Sequence, residues 1–70
     1  MKDSVLILGA GTMQGPAILA AKKLGLEVYA VDANPDAPCV PDVDHFEKID
    51  LKDKEKIADF AEGLSQTARL

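Results

Sequence analysis

Residues 6–25 read LILGAGTMQGPAILAAKKLG, and this stretch predicts the fold of the whole chain. It begins within an apolar run, residues 5–8, which is typical of a parallel strand buried on both faces. A glycine-rich turn follows, and Pro16 then suits the first position of a helix, where its missing N–H costs nothing. Gly25 is a natural helix stop. The apolar residues of this helix recur at helical spacing, at Ala17, Ile18, Ala21 and Leu24.

The glycines of the turn stand at positions 9, 11 and 15, whereas the dinucleotide fingerprint GxGxxG requires the third glycine at position 14. That third glycine normally permits close packing of helix on strand beside the pyrophosphate. Gln14 takes its place here. We expect Gln14 to crowd a dinucleotide and to hydrogen-bond a smaller ligand. The alternative is that Gly15 does the packing one residue later and Gln14 points to solvent.

The remaining chain continues the alternation of strands and helices. We predict a second strand over residues 27–31 that ends at Asp32, a short third strand over 45–49, and a second helix over 53–64 capped by Asp50 or Asp53. Prolines at positions 35, 38 and 41 argue against a regular helix between the second and third strands, so an extended loop is expected there. Right-handed crossovers then give a parallel sheet ordered 3-2-1.

These elements predict an α/β protein, a Rossmann-like half-fold with a short parallel sheet of about three strands and two helices. The domain is expected over residues 1–64, with 65–70 as a frayed tail. In a doubly wound sheet the next strand lies beside the first, and no predicted strand takes that place here. An exposed apolar edge invites pairing with another chain. We therefore expect a fragment of a longer protein that can form a homodimer through this edge.

Composition and charge narrow the class of protein. Seventy residues make one small domain, and an apolar content of 47% argues against disorder. A net charge of −4 argues against a nucleic-acid partner, and no apolar run approaches the ~18 residues that a membrane helix needs. A single cysteine, Cys39, excludes an internal disulfide and fits a reducing compartment. We expect a cytoplasmic protein without a membrane or nucleic-acid partner.

The glycine turn is the leading candidate for a ligand site. Gly9 and Gly11 lack a Cβ, so their backbone can approach a ligand closely, and the amides around residues 13–15 can hold a phosphate or a carboxylate. The turn also follows the first strand, at the carboxyl end where open α/β sheets bind ligands. The alternative is a tight strand-to-helix turn that needs glycine whatever binds there.

Asp32 allows two interpretations. It follows the second strand 23 residues after Gly9, and an acid about 20 residues beyond the glycines binds the ribose hydroxyls in NAD proteins. Alternatively, its carboxylate bonds the amides of its own loop and starts the turn through Asn34. Elsewhere, His45 has no Ser, Cys or metal-ligand cluster around it in the sequence, and Cys39 is interpreted as a loop-packing thiol. We predict no catalytic residue and no metal site.

Several features together resemble the N-terminal domain of ATP-grasp ligases. They are the Gly9–Ala10–Gly11 turn, the helix ending KKLGLEV, the segment VDANPDAP at 31–38, and the run PDVDHFEKID at 41–50 before a helix that opens DKEKI. The resemblance spans residues 5–61. It is strongest to the branch that holds the ATPase subunit of phosphoribosylaminoimidazole carboxylase, with formate-dependent glycinamide ribonucleotide transformylase and carbamoyl-phosphate-synthase-like proteins nearby.

This resemblance implies a preATP-grasp domain that binds no dinucleotide. ATP and magnesium would lie in a separate, later domain, and this chain would bind no cofactor of its own. Its first glycine loop would hold part of the acceptor, a phosphoribosyl group in the purine branch. The family often has Gln or Glu at position 12, Leu at 13 and Gly at 14, so an amino acid or another small carboxylate is equally open as the acceptor. The candidate acceptor-binding residues are Gly9, Gly11, Thr12, Met13, Gln14, Gly15 and Asp32.

The leading hypothesis is therefore the acceptor-binding domain of an ATP-dependent carboxylate–amine ligase or carboxylase, related to purine biosynthesis. Transfer of a phosphoryl group needs cationic groups around it, and the glycine loop contains no lysine or arginine. The 70-residue chain alone is accordingly predicted to be inactive. Two alternatives are an NAD-binding module of a dehydrogenase or regulator, and a self-associating scaffold without a ligand.

Overall fold

Three parallel strands form one sheet in the computed structural model, which describes residues 3–67. The strands are β1 (Ser4–Leu8), β2 (Glu27–Asp32) and β3 (His45–Lys48), and the helices are α1 (Gly15–Lys23) and α2 (Lys54–Thr67). Short 3-10 turns lie at Thr12–Gln14 and Val40–Asp42. The α/β Rossmann-like half-fold predicted from the sequence is confirmed.

The central strand of the sheet is β2. It pairs with β1 from Ser4 opposite Glu27 onward, and with β3 from Tyr29 opposite His45 onward, and both pairings are parallel. The predicted order 3-2-1 is therefore correct. Because the strands are parallel, the loops that follow β1 and β2 meet at one edge of the sheet. Within residues 3–67 no strand lies along the outer edge of β1.

The core lies between α1 and one face of the sheet. Ile18 of α1 and Val28 and Ala30 of β2 are completely buried and belong to one cluster, with Ala21 beside them. Val31 is also completely buried, and strand alternation places it on the opposite face of β2. Burying these side chains removes apolar surface from water, which is the main stabilising contribution in a sheet of this size.

The helix α1 is shorter at its carboxyl end than the sequence pattern suggests. It begins at Gly15, one residue before Pro16, and ends at Lys23. Leu24 is 76% exposed and Ala17 is also exposed, so only Ile18 and Ala21 of the predicted apolar positions are buried. The helix stops there because Gly25 adopts a φ of +78°, which L side chains rarely take.

The connection between β2 and β3 contains no α-helix, as its three prolines predict. It runs from residue 33 to 44 and is anchored in the core by Ala37 and Cys39, both buried. The carboxylate of Asp44 accepts the backbone N–H of Val28 at 2.8 Å and fixes the far end of the loop to β2. The loop therefore has a defined position beside the glycine turn.

The helix α2 begins after Asp53. The carboxylate of Asp53 accepts the N–H of Lys56 at 3.2 Å and caps the helix. Asp53 is one of the two residues predicted as caps. Its stripe includes the buried Leu64 and the half-buried Ile57, Phe60 and Ala61. The helix continues to Thr67, and residues 68–70 of the expected frayed tail lie outside the described residues. Neither helix within residues 3–67 has the length and apolar character needed to cross a membrane.

Candidate functional site

The glycine loop, residues 9–14, lies at the carboxyl end of β1 beside the end of β2. Gly9 has a φ of +100°, a conformation that requires glycine, and its N–H donates to the carbonyl of Val31 at 2.7 Å. This bond extends the pairing of β1 with β2 into the loop. The first glycine of the motif is thus explained by backbone conformation alone.

Ala10 holds the loop in place through both of its backbone groups. Its N–H donates to Oδ2 of Asp32 at 2.9 Å, and its carbonyl accepts the N–H of Cys39 at 2.8 Å. Ala10 itself is completely buried. Three segments therefore meet at Ala10: the glycine loop, the end of β2, and the proline-containing loop, residues 33–44.

The carboxylate of Asp32 bonds backbone amides, as the second interpretation of this residue supposed. Oδ2 accepts from Ala10, and Oδ1 accepts the N–H of Asn34 at 3.0 Å to start the turn. The N–H of Asn34 first, and that of Ala10 second, lower the pKa of Asp32 below its ordinary value. The bond to Ala10 joins residues 22 positions apart, and sequence spacing alone did not indicate it.

Gln14 folds back over the glycines instead of pointing into solvent. A Cβ added at Gly9 would stand 3.2 Å from Cδ and 3.3 Å from Nε2 of Gln14, and one added at Gly11 would stand 3.2 Å from its Oε1. The carboxamide thus covers the surface of the loop at both glycines. Gln14 is half-buried in this position.

Some backbone N–H groups of the turn donate hydrogen bonds within it, and others do not. The N–H of Gln14 donates to the carbonyl of Gly11 at 3.0 Å, and that of Gly15 donates to Thr12, so these two predicted anion donors are already used within the 3-10 turn. Among residues 3–67, the N–H groups of Thr12 and Met13 have no intramolecular acceptor. Both residues are exposed, and Met13 is 90% exposed. Thr12 and Met13 are the part of the predicted site that faces outward.

Cys39 packs against the underside of the glycine loop. Its thiol donates to the carbonyl of Gly11 at 3.4 Å, and its Sγ stands 3.6 Å from the position of a Cβ added at Gly15. The side chain is buried. This agrees with its interpretation as a loop-packing thiol, and its contact with the glycine turn was not predicted, because it depends on the path of the proline-containing loop.

The loop forms an open surface. The part of the chain that the structure describes contains neither an enclosed pocket nor a group of His, Cys, Asp and Glu side chains able to hold a metal ion. The nearest lysine along the helix, Lys22, donates instead to the carbonyl of Asp42 at 2.6 Å. Ligand contact at this loop would therefore rely on backbone N–H groups and on the side chains of Thr12, Met13 and Gln14.

A second polar cluster lies at the amino end of β2 and does not belong to this loop. The imidazole of His45 stacks on Tyr29 with ring centroids 4.4 Å apart, and its Nε2 lies 3.1 Å from Oε2 of Glu27. Loss of hydration first, and the Glu27 carboxylate second, raise the pKa of Tyr29. His45 is thus part of a surface cluster on the sheet, which accounts for its position at the start of a strand.

The chain is similar in sequence to several enzymes that share one name. No family model matches the chain. Formate-dependent phosphoribosylglycinamide formyltransferase from Prochlorococcus marinus (strain MIT 9515) is 35% identical over 57 residues, 81% of this chain and 15% of that protein. The enzymes of that name from Chlorobaculum tepidum and Methanococcus vannielii are 38% and 37% identical, over 76% and 70% of this chain.

The chain resembles these ATP-grasp enzymes over most of its own length. It spans only a small part of these relatives, 14% of the Chlorobaculum protein and 13% of the Methanococcus protein. The sequence resemblance to ATP-grasp ligases is thereby confirmed, and the relatives carry the name of the formyltransferase and not that of the carboxylase that we placed first.

Proposed function

We propose that this chain contributes to the acceptor site of an ATP-dependent ligase of purine biosynthesis, and that its glycine loop contacts a phosphoribosyl-bearing amine. The observation that carries the proposal is the outward-facing pair Thr12 and Met13 on a loop fixed by Asp32 and Cys39. The names of the relatives indicate phosphoribosylglycinamide as the acceptor.

The chemistry of the loop suits one anionic or strongly polar group. Two backbone N–H groups and the Thr12 hydroxyl can donate to phosphoryl or carboxylate oxygens without a side-chain cation. ATP and magnesium would be bound by another region of the whole protein, because phosphoryl transfer requires cations that this loop lacks. The carboxylase acceptor, phosphoribosylaminoimidazole, is the second candidate, since it shares the phosphoribosyl group.

The test is a titration of the ¹⁵N-labelled chain with each acceptor, followed by amide chemical shifts. We expect saturable shifts at Thr12 and Met13 with phosphoribosylglycinamide, and weaker binding to the Thr12→Val and Met13→Ala variants. Lys23→Ala, at an exposed position near the end of α1, is the control and should bind normally. The proposal is wrong if the chain instead binds NADH at micromolar concentration and loses it in Asp32→Ala.

Catalysis is tested separately. The isolated chain should show no ATP hydrolysis above buffer in the presence of magnesium and acceptor. Robust turnover by the pure 70-residue chain would contradict the assignment of ATP chemistry to another region.

A further inference from the structure

The carboxamide of Gln14 occupies the surface over the two early glycines. A Cβ added at Gly9 or Gly11 would stand only 3.2–3.3 Å from it, so the carboxamide lies directly against the side of both glycines where a side chain would be. In dinucleotide-binding folds this surface is left bare, because the backbone there must approach the pyrophosphate. In this chain the same surface is covered by the chain itself.

The backbone of Gln14 is held where it is. Its φ and ψ are −84° and −11°, and its N–H donates to the carbonyl of Gly11 at 3.0 Å, so the 3-10 turn fixes its Cα beside the loop. Only rotation about its side-chain bonds can move the carboxamide away. A diphosphate that approached Gly9 and Gly11 would have to displace it and would gain no charged donor in exchange.

We infer that Gln14 determines the ligand class of this loop by excluding diphosphates from Gly9 and Gly11. The exclusion depends on the position of the carboxamide alone. A second part of the inference rests on the proposed function. Thr12 and Met13 lie beyond the carboxamide and remain open to a single anionic group of the acceptor. Gln14 is thus a specificity-determining residue, because its carboxamide keeps a diphosphate away from Gly9 and Gly11.

The experiment compares the full chain with Gln14→Gly and Gln14→Ala, using inorganic pyrophosphate as the probe. Amide chemical shifts of residues 9–15 report binding. We expect wild-type protein to bind pyrophosphate roughly tenfold or more weakly than the two variants, a difference well above titration error. Ala20→Gly, at an exposed position in α1 outside the glycine loop, is the control and should behave as wild type.

A second measurement does not depend on the variants folding. In wild-type protein, nuclear Overhauser contacts should join the side-chain amide protons of Gln14 to the α protons of Gly9. Absence of these contacts overturns the inference. Equal binding of pyrophosphate by wild type and both variants also overturns it, and so does a lack of binding by all three proteins. If the exclusion holds while phosphoribosylglycinamide fails to bind, only the proposed function falls.

Discussion

The carboxylate of Asp32 accepts the backbone N–H of Ala10 at 2.9 Å and thereby joins the loop after β1 to the end of β2. An acid at this place in the chain is usually considered for its contact with a ribose. Here its two oxygens hold the backbone of two loops, so that the residue stabilises their arrangement in the free protein. Its removal should therefore affect the stability of the free protein.

Asp32→Ala should lower the free energy of unfolding by about 1–2 kcal/mol, because two hydrogen bonds to a charged acceptor are lost in a partly exposed position. Urea denaturation followed by circular dichroism measures the change. Asp36→Ala, in the same loop, is the matched control, since the hydrogen bond from the Asp36 N–H to Asn34 is kept. Equal effects of the two substitutions would show that the carboxylate of Asp32 has no special structural role.

The contribution of Asp32 should also depend on pH. Its pKa in the folded protein lies below the ordinary value of 3.8, so the folded state favours the ionised form and the stabilisation is complete above that value. It should be lost as the pH falls below 3.8 and through the folded-state pKa. Wild type and Asp32→Asn should therefore differ in stability at neutral pH and converge in acid. A difference that stayed constant from neutral to strongly acidic pH would contradict this explanation.

Gly9→Ala should destabilise the protein by about 1–2 kcal/mol, because an L residue at a φ of +100° is strained and its Cβ would press on Gln14. Gly63 offers the opposite case, since it lies in α2 and a Cβ there meets nothing within 4 Å. Gly63→Ala should therefore stabilise by roughly 0.5–1 kcal/mol. Thermal unfolding of the two variants checks both signs in one experiment.

The outer edge of β1, which no strand within residues 3–67 covers, leads to a prediction about association. Leu8 is 51% exposed at the end of this strand, and we expect two copies of the isolated chain to pair weakly along the edge. Leu8→Lys should reduce the association seen by sedimentation velocity. Leu19→Lys, at a position 59% exposed on α1, is the control and should leave it unchanged. An apparent molecular mass that does not vary with protein concentration would contradict this prediction.

The sequence predicted those features that depend on local pattern. Apolar runs identified β1 and β2, and the prolines at 35, 38 and 41 identified the loop between β2 and β3. What it could not predict are contacts between segments far apart in the chain. The position of Cys39 under Gly11 depends on how the proline-containing loop lies against the glycine turn. The direction of the Gln14 side chain is local but depends on its rotamer, which sequence pattern does not specify. Local propensity carries no information about that placement.

Ala10 gives both of its backbone groups to other segments, and this limits how the glycine loop can move. A loop that closes over a ligand must release its hydrogen bonds to the scaffold, and here the bonds to Asp32 and Cys39 would both have to break. Under the proposed function, this loop would therefore bind the acceptor without closing over it. Any closing movement that shelters a reactive intermediate from water would have to come from a different segment of polypeptide, arriving from above Thr12 and Met13.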